Sequence, residues 1–201
     1  GGSPGPARPL HRIPPSAAPR LQTNRSAIAV VPPEDVWGPI QAIRSVHDRA
    51  YARWMPHVNL LYPFLGPDAP AEGLERAAAS VEPFDAVLGA FRTFDRKRGE
   101  STLWLAPESL DRFVALHSAL EAAHPECFEG SRHPGGFHPH LSVGQAGSPA
   151  ERDRLLAEFS REWRPVRFRV DSIAWLVRGD DTPFSIGRRV TLGGGQAAKG
   201  S

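Results

Sequence analysis

Apolar positions along this chain switch between a period of two and a period near 3.6, and the switches mark out alternating strands and helices. Residues 26–31 form an apolar run closed by Pro32 and Pro33, which predicts a buried strand. Val36, Ile40, Ile43 and Val46 then recur at helical spacing and predict a helix over 34–50. The run over 56–64 predicts another strand, and a short helix fits 71–80. Residues 84–95 and 101–106 read as two strands around a basic turn at 96–100, a hairpin. Leu110, Phe113, Val114, Leu116 and Leu120 make 109–123 an amphipathic helix. A strand is expected over 137–145 and a helix over 149–162 with Leu155, Leu156 and Phe159 on one side. Two last strands, 166–177 and 184–192, are expected to join through Gly179, Asp180 and Asp181.

The two ends lack this patterning. Residues 1–24 are rich in Pro, Gly, Ala and Arg, with few large apolar side chains to offset the entropy of ordering them. They are expected to form a disordered arm, and 193–201 a flexible Gly-rich tail, leaving 25–192 as the folded domain. Its length suits two packed lobes around a real core. No apolar run approaches the roughly 20 residues of a membrane span, and no secretory h-region is evident. With a single cysteine, Cys127, no intrachain disulfide can form. A cytoplasmic location without a membrane association is therefore expected. The net charge of +2 mildly favours an anionic ligand but excludes coating nucleic acid by charge alone.

The halves of the domain echo each other. Each offers a helix, a strand with a His-x-polar tripeptide, a second helix and longer strands. The tripeptides are His57-Val58-Asn59 and His140-Leu141-Ser142, about eighty residues apart. Residues i and i+2 of a strand share a face, so His57 pairs with Asn59 and His140 with Ser142, and His138 and Gly144 are expected on the latter face. Phosphoester cleavage needs a base for the attacking oxygen and an acid for the leaving one, and imidazole serves as either near neutral pH. The neighbouring amide or hydroxyl is suited to donate to a non-bridging phosphate oxygen.

These two segments, with the surrounding 53–64 and 137–145, resemble the 2H phosphoesterase superfamily, in particular its 2′-5′ RNA ligase and 2′,3′-cyclic phosphodiesterase branch. The resemblance covers about 26–192. It implies an α+β fold of two pseudo-symmetric lobes, each an antiparallel sheet flanked by helices, around a central cleft. It implies hydrolysis of 2′,3′-cyclic phosphates or cleavage of 2′-5′ phosphodiesters in RNA ends or small nucleotides, with no metal, no cofactor and no obligatory protein partner. By resemblance His140 is the base that activates water and His57 the acid, with Asn59 and Ser142 on the phosphate. Asn59 departs from the family's Thr or Ser, which keeps alive a second reading, a module that binds an RNA end without turnover.

Other residues join the picture more loosely. His138, Phe137, Tyr62 and Arg98 are candidates for the cleft, although strict alternation puts Phe137 off the catalytic face, and Tyr62 and Trp54 read more readily as core. The cluster of His124, Cys127, His133, His138 and His140 invites a zinc-hydrolase reading, but its spacing matches no standard zinc module. Cys127 reads as an inert buried thiol, Trp104 and Trp175 as core. Arg167, Arg169 and Arg178 alternate with apolar residues, which makes one face of that strand polar.

Overall fold

The computed structural model describes residues 21–127 and 136–193. Most of the expected arm, His133 and the tail beyond Gly193 lie outside the described residues. In chain order the strands are β1 (Gln22–Thr23), β2 (Ser26–Val30), β3 (Val58–Leu61), β4 (Phe64–Leu65), β5 (Phe84–Asp95), β6 (Ser101–Pro107), β7 (Leu141–Ala146), β8 (Val166–Val170), β9 (Ser172–Val177) and β10 (Ser185–Thr191). The α-helices are α1 (Trp37–His47), α2 (Glu72–Ala79), α3 (Leu110–Ala123) and α4 (Pro149–Glu162). The helix-start chemistry is clearest at α4. The Ser148 hydroxyl accepts from Glu151 N–H at 3.2 Å, Pro149 opens the helix, and the Glu151 carboxylate reaches back to Gly147 N–H at 2.8 Å.

Two four-stranded antiparallel sheets carry the fold, ordered β10-β9-β2-β3 and β7-β6-β5-β8. They correspond strand for strand. In each, an edge strand (β3 or β7) pairs with the strand that precedes it (β2 or β6), and a helix (α1 or α3) joins the two. The helices are exchanged: α1 packs on β7 of the opposite sheet, and α3 packs on β3. The edge strands β3 and β7 also meet each other. The main core lies between the sheets and their helices, around Ile28, Leu74, Leu103, Leu116, Leu141 and Leu155. A smaller cluster covers the other face of the first sheet, where Ala27, Ala29, Ala174 and Phe184 pack with Trp54 and Tyr62.

Three expectations change in detail. The folded part starts before residue 25, because Gln22 and Thr23 pair with Leu65 and Phe64. The run over 56–64 is two strands in different sheets, since Pro63 has no N–H to continue the ladder. The run over 166–177 breaks at Asp171: β8 belongs to one sheet and β9 to the other. The sequence marks the crossing: the alternation of Val166, Phe168 and Val170 stops at the polar pair Asp171 and Ser172, and a continuous apolar run over 173–177 follows.

Beside the two tripeptides the sheets share an irregularity. Asn59 pairs with Ala29 but Leu61 with Ile28, so Leu60 is an extra residue on β3. Ser142 pairs with Trp104 but Gly144 with Leu103, so Val143 is extra on β7. A bulge of this kind resets the alternation and re-aims the neighbouring side chains. Gly144 therefore leaves the face of His140, contrary to the alternation expected from sequence. It lies instead under α1, where an added Cβ would stand 2.8 Å from His47 Cβ and 3.1 Å from the His47 carbonyl oxygen. Only glycine lets helix and strand approach this closely.

Candidate active site

Both histidines sit one residue ahead of an edge strand, not inside it: His57 precedes Val58 of β3 and His140 precedes Leu141 of β7. Their rings are held in the same way. His57 Nδ1 is 2.7 Å from the Met55 carbonyl oxygen, and His140 Nδ1 is 2.7 Å from that of His138. A carbonyl oxygen only accepts, so each Nδ1 carries the hydrogen, and each neutral ring has its lone pair on Nε2. The fold thus presents two imidazoles in one tautomer at corresponding places on two meeting strands.

Their surroundings differ. His57 stacks on Trp54 with centroids 4.3 Å apart, and Trp54 stacks in turn on Phe184 at 3.7 Å. His140 meets the edges of Phe94 and Trp104, at 5.0 and 5.8 Å. Burial pushes the His57 imidazole down from 6.5 to about 4; the Met55 carbonyl opposes this, Arg44 and His140 add to it, and Asp48 opposes it.

A buried network fixes the segment that leads into His57. The Arg44 guanidinium donates to Asp48 at 2.9 Å, to Gln41 at 2.9 Å and to the Trp54 carbonyl at 2.9 Å. Asp48 accepts also from Ala50 N–H at 2.9 Å and from the Gln145 amide of β7 at 3.1 Å. One carboxylate therefore ties the turn before His57 to the strand behind His140. Sequence reasoning missed this pair; the signal was a charged i,i+4 pair, Arg44 and Asp48, within the helical stretch expected over 34–50, where it reads equally well as a solvated surface pair.

A cavity of about 620 Å³ opens between the lobes. Asn59 and Tyr62 line it from one side, Phe94, Arg96, His138 and His140 from the other. Phe137 also lines it and lies flat on His117, with ring centroids 3.9 Å apart. Burial holds His117 below its ordinary pKa while Glu121 pulls it up. Strict alternation had put Phe137 off this face, but residues 137–140 are not strand, so alternation does not apply to them. Tyr62 and Trp54, read as core, are half-buried; Tyr62 is on the cavity wall and donates its hydroxyl to the Asn24 carbonyl at 3.1 Å.

Not every candidate comes to the wall. Arg98 occupies the exposed hairpin tip with φ 62° and is absent from it; Arg96, two residues earlier, takes that place and is steadied by Thr102 at 2.8 Å. His57 and Ser142 are half-buried and form no part of this wall. Cys127 is a buried thiol on this wall and His124 is buried against Phe64; among the described residues no three His, Cys, Asp or Glu side chains are grouped to hold a metal ion. Trp104 and Trp175 are buried. Arg167 and Arg169 face outward, and Arg178 lies over the Phe184 ring at 5.5 Å.

Asn59 lines the cavity while its Oδ1 is buried without a hydrogen-bond partner. An unpartnered buried carbonyl costs about 1–3 kcal/mol, and threonine would place a methyl or hydroxyl there instead. Asn59→Thr is expected to melt higher than the parent protein and to bind phosphate no more weakly, as read by thermal melts with and without phosphate. A lower melting point would remove this account of the amide.

Comparison with known proteins supports the same grouping. The sequence profile of the 2′-5′ RNA ligase superfamily matches residues 32–182. A Geobacillus kaustophilus protein named as a phosphoesterase is 29% identical over 124 residues, 59% of this chain and 67% of that protein. The crystal structure of Escherichia coli LigT complexed with 3′-AMP superposes with a TM-score of 0.56 at 20% identity, covering 84% of this chain and 98% of LigT. The crystal structure of TT0787 from Thermus thermophilus gives 0.55 at 20% identity, covering 86% and 100%. Two corresponding sheets with exchanged helices, each edge strand preceded by a histidine bonded to a nearby backbone carbonyl, and a family profile spanning both, lead to one conclusion: the chain belongs to the 2′-5′ RNA ligase superfamily of 2H phosphoesterases.

Proposed function

We propose that the protein hydrolyses 2′,3′-cyclic phosphates, or cleaves 2′-5′ phosphodiesters, in RNA ends or small nucleotides, with His57 and His140 as the acid/base pair. The observation that carries this reading is the matched tautomer: each histidine gives its Nδ1–H to a backbone carbonyl, which makes Nε2 of each the atom for proton exchange. In the cyclic-phosphate reaction a water oxygen bonds to phosphorus and one ribose oxygen–phosphorus bond breaks. One neutral imidazole takes the water proton on Nε2, the other, protonated at Nε2 as imidazolium, gives that proton to the departing ribose oxygen, and a phosphomonoester remains. Asn59 and Arg96, on the cavity wall, are the donors to non-bridging oxygens, and Ser142 is a further donor by correspondence with Asn59. LigT was crystallised with 3′-AMP, a ribonucleotide carrying a phosphate on the ribose, which agrees with this substrate class.

We take His57 as the base and His140 as the acid, where the resemblance implies the reverse. The His57 imidazole is held below the ordinary histidine range and is neutral in the free protein at pH 7, the resting state of a base. The acidic limb of kcat/KM is therefore expected near pH 4, well below an ordinary histidine, because protonating His57 removes the base. A limb near 6.5 would refute the buried base. The same shift bears on stability. The folded state binds this proton more weakly than the unfolded chain, so its stability contribution is complete above pH 6.5 and is lost as the pH falls toward 4. Thermal melts across that window, with His57→Gln as the comparison, read the effect.

The reading is tested by assaying 2′,3′-cyclic mononucleotides, cyclic-phosphate-ended RNA and 2′-5′ oligoadenylate in EDTA. Turnover of at least one is expected. Turnover that vanishes in EDTA and returns with Zn²⁺ would replace the two-histidine mechanism with a metal-dependent one.

A further inference from the structure

A second cavity, of about 870 Å³, runs along the open face of the second sheet, and His138 belongs to the walls of both cavities. The partition between them is an aromatic stack. Phe94, on the first cavity, lies on Trp104, on the second, with centroids 4.6 Å apart, and His140 touches both rings. We propose that the second cavity is a subsite for the nucleotide that precedes, on the 5′ side, the one carrying the reacting phosphate, so that the preferred substrate is an oligonucleotide end. The proposal rests on the reading of the first cavity as a phosphoesterase site.

Three features select this occupant. First, Trp104 is 8% exposed, yet its indole Nε1–H has no hydrogen-bond partner. A buried donor left unpaired costs about 1–3 kcal/mol, and an acceptor on a ligand settled against the stack relieves it. Second, charge is graded along the cavity. Arg92 stands opposite Trp104 in the sheet register, is exposed, and pairs with no carboxylate among the described residues. Glu108 lies at the far end, four residues beyond Trp104 along the chain. A nucleotide carries its negative charge on the phosphate and N–H donors on its base edge, so the phosphate joining the two nucleotides belongs at Arg92 and the base toward Glu108. Third, the floor between them is Ala90 opposite Ala106, two small side chains that leave room for a ribose and base. The volume lies in the range of pockets that enclose small organic ligands, roughly 300–1,000 Å³.

The corresponding row of the first sheet is Asn59, Ala29 and Ala174, with neither an indole nor a guanidinium. The pseudo-symmetry is broken on this face, and the second cavity lies on the His140 side of the histidine pair. That asymmetry is what gives a bound strand a direction.

The experiment compares adenosine 2′,3′-cyclic phosphate with the dinucleotide ApA ending in the same cyclic phosphate. The dinucleotide is expected to have the higher kcat/KM, by about tenfold or more for one charge-assisted hydrogen bond. Arg92→Ala removes the cation and Ala90→Trp fills the floor from an exposed position; each is expected to bring the ratio toward one. Equal values for the two substrates, or a ratio that neither variant changes, would overturn the subsite. Turnover of neither substrate would overturn the phosphoesterase reading instead. The subsite is then judged from binding, by calorimetry with 3′-AMP and the 3′-phosphorylated dinucleotide: tighter dinucleotide binding lost in Arg92→Ala supports it, and equal affinities overturn it.

Discussion

His57→Ala and His140→Ala are each expected to lower kcat by about 10²–10⁴-fold, the usual contribution of a positioned acid or base. The loss should be similar for both, because in-line displacement needs both proton transfers. The double variant should be little worse than the weaker single, since a pair that acts as a unit is non-additive. Stability should respond unequally. His57 is sandwiched by Trp54 above its backbone bond to Met55, so its removal opens space in the smaller apolar cluster. His140 meets Phe94 and Trp104 edge-on rather than stacked. Single-turnover assays beside thermal melts separate the two effects. Full turnover in either folded variant would exclude the paired mechanism.

Arg44→Met is the substitution expected to cost most in stability, about 3–5 kcal/mol, because it leaves the Asp48 carboxylate buried without its cation. For a chain of this length that corresponds to roughly 6–20 °C in Tm. It should also impair catalysis beyond what unfolding explains. Arg44 holds the Trp54 carbonyl, Trp54 covers His57, and the guanidinium itself helps keep His57 neutral. Arg44→Met should therefore move the acidic limb of kcat/KM upward at temperatures where the protein remains folded. A normal Tm with an unmoved limb would show that the network holds nothing.

Much of this was legible in the sequence because it is local. Strand 84–95, the hairpin and helix 149–162 follow from periodicity, turn residues and the Ser148-Pro149 start, and all lie within one stretch of chain. The two histidine tripeptides stood out because they are duplicated. What escaped is set by distant partners. The bulges at Leu60 and Val143 exist only relative to β2 and β6, so alternation placed Gly144 on the wrong face. At Asp171 the polar pair Asp171-Ser172 does interrupt the alternation, but which sheet each half joins depends on its distant partners β5 and β2. Trp54 was read as core because an indole looks the same in sequence whether it packs on leucine or on an imidazole. Arg98 was preferred to Arg96 within a run of three cations, and only the left-handed turn at Arg98 decides which one returns toward the cleft.

The passage from β8 to β9 has a mechanical consequence. One residue, Asp171, separates a strand paired to β5 from a strand paired to β2, while α1 is seated on the far lobe and α3 on the near one. The lobes are thus stitched by a connection with no slack and latched by two reciprocal helices. A hinge needs a few residues free to absorb large dihedral changes, and none is available along this seam. The distance between the two imidazoles is then a dimension of the scaffold, and a substrate must match a gauge already set.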